Sequence, residues 1–254
     1  MCIRDRSNID NLSSFARDIV LMKQCKVNPI IIHGGGPMIN NALNIWGVNF
    51  NFIDGKRVPD KNAVKIVEMV LSVDVNKNIV ASINNQGGKG VGISGKDASL
   101  VICEKDTPEL GYVGKPILVN TKLITTLVEN DFIPVISPIG TNEEGETFNI
   151  NADTMAGTIA SALKADRLLL LTDVSGVKDK SGKKIEKAST EEIKKLIKQD
   201  IIKDGMIPKV NTAIESIEKG VRAVVILDGS IQNACLLELF TDHGVGTLIR
   251  EEMN

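Results

Sequence analysis

Short, unbroken apolar runs alternate along this chain with longer segments of helical spacing. That alternation restricts the fold more than any other feature. Asn28–His33 (NPIIIH), Ile133–Ile136, Arg167–Leu171, Ala223–Ile226 and Gly246–Ile249 are of strand length and lack a polar face. Parallel strands buried on both sides read this way. Between them, residues 8–25 place Ile9, Leu12, Phe15, Ala16, Ile19, Val20 and Met22 on one helical face. Helices are also predicted over Met38–Trp46, Asp60–Asn85, 120–130, 153–164, 190–200, 209–219 and 231–239. Two further strands are expected across Gly87–Asp97 and Ala98–Cys103, then a glycine-rich hairpin through Gly111–Pro116. The predicted class is α/β, a mainly parallel open sheet sandwiched between helices. A soft boundary near residue 165 divides it into lobes 8–165 and 166–254. The opening residues 1–7 (MCIRDRS) carry neither helical nor strand periodicity. They are expected to be a non-native leader, so that the first strand of the fold is missing.

Composition narrows the function classes. With 254 residues the chain buries one sizeable core, as one large domain or two close lobes. Its 30 Lys and Arg against 32 Asp and Glu leave a net charge of −2, which gives no nucleic acid or membrane surface a reason to bind. The basic run Lys178–Lys187 is predicted to be a solvated turn and hairpin. No apolar stretch reaches a membrane span's length of roughly 18–20 residues, and no secretory leader is visible. Cys2, Cys25, Cys103 and Cys235 are scattered, without CxxC or Cys/His metal spacing. Free thiols in a reducing cytoplasm are expected, with no metal site.

Four segments carry residue types suited to chemistry. In His33-Gly34-Gly35-Gly36-Pro37 a strand passes into a helix through three glycines. Their N–H groups beside a helix N-terminus suit an oxyanion or phosphate, although a tight strand-to-helix turn uses the same residues. The pattern matches neither GxGxxG nor GxxxxGK[ST]. In Phe148–Asp153, Asn149, Asn151 and Asp153 share one side of an extended segment. Asp153 or Asn151 alone would serve as an N-cap for the following helix, and a cap needs only one of the three. In Asp204–Val210, Lys209 sits near a helix N-terminus, where the macrodipole opposes a cation unless an anion meets it; a plain surface lysine is the alternative. Thr172 and Asp173 follow the apolar run Leu168–Leu171, at the carboxyl end of a buried parallel strand where open α/β sheets bind ligands. The glycine-dense Gly87–Asp97 reads as a turn or hairpin, with phosphate contact the alternative.

No Ser/His/Asp set, Cys/His set or Walker lysine is present, and His33 and His243 are the only histidines. A phosphoryl acceptor that is itself a carboxylate accounts for this. With a pKa of about 4.3 it is ionised at pH 7 and needs no general base. Catalysis then consists of positioning and charge neutralisation by lysines, backbone N–H groups and nucleotide-bound Mg²⁺.

Together, IIIHGGGPMIN, GKRVPDKNAVKIVEMVL, GISGKD, FNINADTMAGTIA, LLLLTDVSGV, DGMIPKV and LLELFTDHGVGTLI resemble the acetylglutamate kinases of the amino-acid kinase family. The resemblance extends from about residue 10 to 250. HGGGP alone is shared by several amino-acid kinases, whereas its combination with the NxNAD, DGMIPKV and RVPD segments is more specific. The resemblance implies transfer of the ATP γ-phosphoryl group to the side-chain carboxylate of N-acetyl-L-glutamate, in arginine biosynthesis. Gly34, Gly35 and Gly36 would lie against the acceptor and the transferring group. Arg57 would clamp the acceptor α-carboxylate, and Asn149 would hydrogen-bond the acceptor. Lys209 would neutralise phosphate charge, with Asp153 orienting the lysines rather than acting as a base. Thr172, Asp173 and Met206 would belong to the pocket for ATP, whose Mg²⁺ is held mainly through the phosphates.

The C-terminal stretch resembles the arginine-inhibited, hexameric branch of that family, which implies effector contacts at Glu238 and Gly246. Asn233 stands where that branch often carries histidine. A homo-oligomer is implied, a dimer or, with a restored N-terminal helix, a hexamer. The family's first strand ends in Lys-x-Gly-Gly, and nothing of the kind precedes the first helix here. The chain as written is therefore expected to be truncated and impaired, since a lost charge-stabilising donor costs about 2.7–4 kcal/mol. Two other readings use the same residues: a sister kinase for carrier-linked aminoadipate, glutamate or aspartate, and a non-catalytic nucleotide- or arginine-sensing module.

Overall fold

The computed structural model describes residues 2–3, 9–48, 51–53 and 56–252; the side chains of 2–3, 9–11, 51–53, 56–57 and Pro108 lie outside the description. The chain divides into two compact units, one of residues 4–155 and one of 1–3 with 156–254. The first regular element in the chain is a two-residue strand, β1 (Cys2–Ile3), which belongs to the second unit.

The 4–155 unit opens with α1 (Ile9–Gln24), whose apolar face Phe15, Ala16, Ile19, Val20 and Met22 is buried as its spacing predicts. Then follow β2 (Ile31–His33), α2 (Gly36–Ile45) and the antiparallel hairpin of β3 (Asn51–Ile53) and β4 (Lys56–Val58). The predicted helix over Asp60–Asn85 is three pieces: α3 (Lys61–Met69), a π-helical turn at Val70–Val75 and α4 (Asn76–Asn85). Asp60 starts it by accepting the N–H groups of Asn62 and Ala63 at 2.8 and 2.7 Å. The remaining elements of this unit are β5 (Gly90–Ser94), β6 (Val101–Lys105), β7 (Gly114–Val119), α5 (Lys122–Glu129), β8 (Ile133–Ser137), β9 (Ile139–Thr141) and β10 (Thr147–Asn149). Helix α6 (Ala152–Ala162) follows, and the division between units falls after its Met155.

Strands β2, β8 and β5 lie side by side and all parallel, with β8 in the centre and every residue of it buried. A second, smaller sheet runs in the order β10-β9-β6-β7. Of the two readings of the glycine-dense stretch, the strand holds over its middle, where Gly90–Ser94 pairs with Ile133–Ser137. Gly87 makes the turn out of α4 with φ +83°, whereas Gly92 and Gly95 answer crowding: a Cβ on Gly92 would overlap Asn76 Oδ1, and one on Gly95 would overlap the Ile139 carbonyl.

In the second unit β11 (Leu168–Thr172) is buried along its whole length. It is followed by β12 (Lys187–Ser189), α7 (Thr190–Lys198), α8 (Met206–Glu218), β13 (Val224–Asp228), α9 (Ala234–Phe240) and β14 (Thr247–Arg250). The strand order within this unit is β12-β14-β13-β11-β1, parallel except between β13 and β14. The basic run forms the predicted hairpin, closed by an antiparallel bridge between Lys178 and Lys184. Ser189 and Glu192 make a reciprocal capping box on α7, each side chain bonding the other's backbone N–H.

The mainly parallel α/β arrangement is as expected, with one correction. A strand does precede α1: Cys2 and Ile3 align in parallel with Leu170 and Leu171. Two residues carry no period to read, whereas the edge of a buried strand such as β11 has backbone groups that must be paired.

Candidate active site

The glycine segment occupies the end of β2 and the start of α2. Gly35 is buried and caps α2 without a side-chain hydrogen bond, while Pro37 lies in the first turn. A Cβ on Gly35 would stand 2.7 Å from Leu71 Cδ2 and 3.2 Å from Val75 Cγ2, so any larger residue collides with the π-helical turn. Gly36 is different, with nothing within 4 Å of an added Cβ. One side of the loop is thus packed and the other open. No acidic side chain occupies the first turn of α2, which leaves the positive end of its dipole to favour an anion.

The three polar residues of the Asn149–Asp153 segment have separate tasks. Asn151 is the cap: its Oδ1 accepts the N–H groups of Asp153 at 2.9 Å and Thr154 at 3.2 Å. Asn149 is therefore not needed for capping. It ends β10, half-buried, with its backbone N–H donated to the Tyr112 carbonyl at 2.9 Å. Asp153 is in the first turn of α6 and only 3% exposed. Arg57 is in β4 opposite Phe52, and its side chain lies outside the described residues.

A neighbouring cluster has no signal in the linear sequence. Lys96 Nζ donates to Glu68 Oε1 at 2.9 Å and to Thr147 Oγ1 at 3.0 Å, and Thr147 reaches Glu68 Oε2 at 3.3 Å. Thr147 and Asn149 are two apart on β10 and share a face, so this ion pair lies on the Asn149 side of the strand. Three elements contribute to it, so only the folded chain assembles it. His33 and Asn76 were equally undetectable as partners: Asn76 Nδ2 lies 3.1 Å from His33 Nε2, and both are fully buried.

In the second unit, α8 begins at Met206 rather than 209, which puts Lys209 one turn inside it. Lys209 is no surface lysine, since only 2% of it is exposed. An ammonium taken out of water needs opposite charge or hydrogen-bond acceptors around it. Thr172 ends β11 and closes on Val174, accepting its N–H at 2.9 Å and donating to its carbonyl at 3.1 Å. The exposed Asp173 follows, and the Gly229 N–H donates to the Thr172 carbonyl at 2.8 Å. The carboxyl ends of the parallel strands β11 and β13 thus meet at Thr172 and Asp228, as the register requires. Glu238 and Gly246 are brought into direct contact: the Gly246 N–H donates to Glu238 Oε2 at 3.1 Å, and Glu238 is 8% exposed. Asn233, before α9, adopts a left-handed conformation with φ 58°. Among the described residues there is no group of three His, Cys, Asp or Glu placed to hold a metal ion.

Comparison with known proteins accords with this arrangement. The model of the amino acid kinase family matches residues 2–228. An acetylglutamate kinase from Dinoroseobacter shibae is 57% identical over 239 residues, covering 94% of this chain and 83% of that protein. Among solved structures, smu.665 from Streptococcus mutans UA159 superposes with a TM-score of 0.81 at 30% identity, covering 99% of this chain and 98% of that one. An N-acetylglutamate synthase from Neisseria gonorrhoeae, complexed with coenzyme A and N-acetyl-glutamate, shares the fold at 24% identity with a TM-score of 0.88; this chain spans 59% of its length. With the glycine loop, the asparagine-capped α6 and the buried Lys209 matched by a family model over most of the sequence, the chain belongs to the amino acid kinase family.

Proposed function

We propose that this chain transfers the γ-phosphoryl group of ATP to the side-chain carboxylate of N-acetyl-L-glutamate, a step of arginine biosynthesis. The observation that carries this reading is identity of 54–57% to acetylglutamate kinases over about 94% of the chain. An acceptor carboxylate oxygen attacks the γ-phosphorus, the bond to the β–γ bridging oxygen breaks, and ADP leaves with the electron pair. The acceptor is already ionised at neutral pH, so no proton has to move.

The 4–155 unit is the acceptor side. Gly34, Gly35 and Gly36 present backbone N–H groups to developing negative charge, Arg57 clamps the α-carboxylate through its planar fork, and Asn149 hydrogen-bonds the acceptor. Asp153 orients positive charge and does not act as a base. The second unit is the nucleotide side. Thr172, Asp173 and Met206 belong to the ATP pocket and Lys209 neutralises phosphate charge, while Mg²⁺ is held mainly through the phosphates. L-Arginine is the inhibitor, read by the Glu238–Gly246 segment, and the protein is a homo-oligomer. Among the described residues no helix is long and apolar enough to cross a membrane; the proposed location is the cytoplasm.

Hydroxamate trapping of the acyl phosphate tests the reading. Acetylglutamate, glutamate and aspartate are offered with Mg-ATP to this chain. Product from acetylglutamate alone is the expected result. No product from any acceptor overturns the kinase reading, and preference for glutamate or aspartate overturns the acceptor.

A further inference from the structure

The side chain that ends β2 is not idle. His33 is 1% exposed and Asn76, at the junction of the π-helical turn and α4, is fully buried. His33 Nδ1 lies 2.9 Å from the Gly34 carbonyl. A carbonyl only accepts, so Nδ1 carries the proton and Nε2 carries a lone pair. That lone pair accepts from Asn76 Nδ2 at 3.1 Å, and the same amide donates to the Val135 carbonyl on β8 at 3.0 Å. Asn76 Oδ1 faces the Lys77 ammonium at 3.4 Å, and Lys77 in turn donates to the Gly92 carbonyl at 2.9 Å. Each bond in this chain fixes the orientation of the next, from the central strand β8 to the first peptide of the glycine loop.

We propose that His33 and Asn76 are a positioning pair that holds the Gly34–Gly36 loop in the conformation that receives the phosphoryl group. The inference rests on the reading of that loop given above. Its physical basis is the planarity of the peptide. In a trans peptide the carbonyl and the next N–H point to opposite sides, so pinning the Gly34 carbonyl aims the Gly35 N–H the other way. Glycines impose no preference of their own and need such restraint from outside. The π-helical turn supplies the rest. A π turn inserts one extra residue and shifts every later side chain around the helix by about 100°. Here it presents Leu71 and Val75 to the packed side of Gly35, with Asn76 beside them facing the imidazole. Burial also pulls His33 down to about 4, partly opposed by its bond to Gly34, so the ring stays neutral at physiological pH and the donor pattern holds.

The test has three readouts. Nitrogen NMR of the imidazole in the unaltered chain is expected to report the Nδ1–H tautomer; the Nε2–H tautomer overturns the pairing without any mutation. Amide exchange at Gly34–Gly36 is then compared in His33→Leu, His33→Asn and Asn76→Ala. One lost hydrogen bond predicts roughly tenfold faster exchange in the leucine and alanine variants. Ile31 and Ile32 should keep their protection, and His33→Asn, whose Nδ2 replaces Nδ1 toward Gly34, should restore most of the loop's. Unchanged loop exchange in a folded variant overturns the proposal. Finally, kcat in the hydroxamate assay should fall in the same order as the exchange rises, with the KM for ATP little altered; a loss of kcat in His33→Asn equal to that in His33→Leu overturns it. If the unaltered chain makes no acyl phosphate, the kinase reading fails by itself, and the tautomer and exchange measurements still decide this one.

Discussion

The buried lysine and the buried histidine show how single residues depart from their ordinary surroundings. Lys209 is almost wholly enclosed, yet it is not an apolar residue that packing alone would choose. If it stabilises charge on the transferring group, Lys209→Met keeps the stem and loses only the ammonium. Turnover should fall by about 10²–10³-fold, the usual cost of one such donor. A loss under threefold would remove Lys209 from the catalytic set. His33 makes a different prediction. Burial lowers its pKa from 6.5 to about 4, so between those values the unfolded chain binds a proton that the folded chain refuses. The stabilisation is therefore complete above about pH 6.5 and is lost as pH falls through about 4. The difference corresponds to roughly 3 kcal/mol. Urea denaturation at pH 7 and pH 4 should show this drop in the unaltered protein beyond that of His33→Asn; parallel losses in the two would refute it.

Among the elements, the long helix over Asp60–Asn85 is the informative one. Its periodicity was legible because Val64, Ile66, Val67, Val70 and Leu71 repeat on one face, and all of them are buried. The π turn was not legible, because the extra residue leaves the composition helical throughout and changes only which face Val75 and Asn76 occupy. Its start was legible in principle: Asp60 follows Pro59 and caps two N–H groups. Asp60→Ala should cost about 1 kcal/mol, while Asp60→Asn should cost little. The urea midpoints of the two variants check this, and equal destabilisation would mean that charge rather than capping is what matters there. The glycine-dense strand β5 is the converse case. Its glycines read equally as strand or turn, and Gly92 is a strand residue whose missing side chain makes room for Asn76.

At the scale of the whole molecule, thiol chemistry reports how far the chain must open. Cys25 is exposed, while Cys103 and Cys235 are buried, and burial pushes the Cys103 thiol up to about 12. A thiol that is neither accessible nor ionised at pH 8 reacts only when the structure opens. Mass-resolved labelling of the native chain should modify Cys25 rapidly, with Cys103 following the rate of unfolding and responding to urea. Rapid modification of Cys103 without denaturant would show that the small sheet around it opens locally.

The sequence by itself determined the α/β class, the helices and the buried parallel strands, but not the short strands β1, β3, β4, β9 and β12. Those properties are local: a period of apolar residues, a glycine run before a helix, an Asn-x-Asn-x-Asp segment entering one. It did not determine which of Asn151 and Asp153 caps α6, that Lys96 pairs with Glu68 and Thr147, that Cys2 and Ile3 add a strand beside β11, or that Asn76 meets His33. Tertiary structure decided each of these. A residue's type and spacing state whether it is buried, but a hydrogen-bond partner dozens of positions away is chosen only when packed elements bring donor and acceptor within about 3 Å.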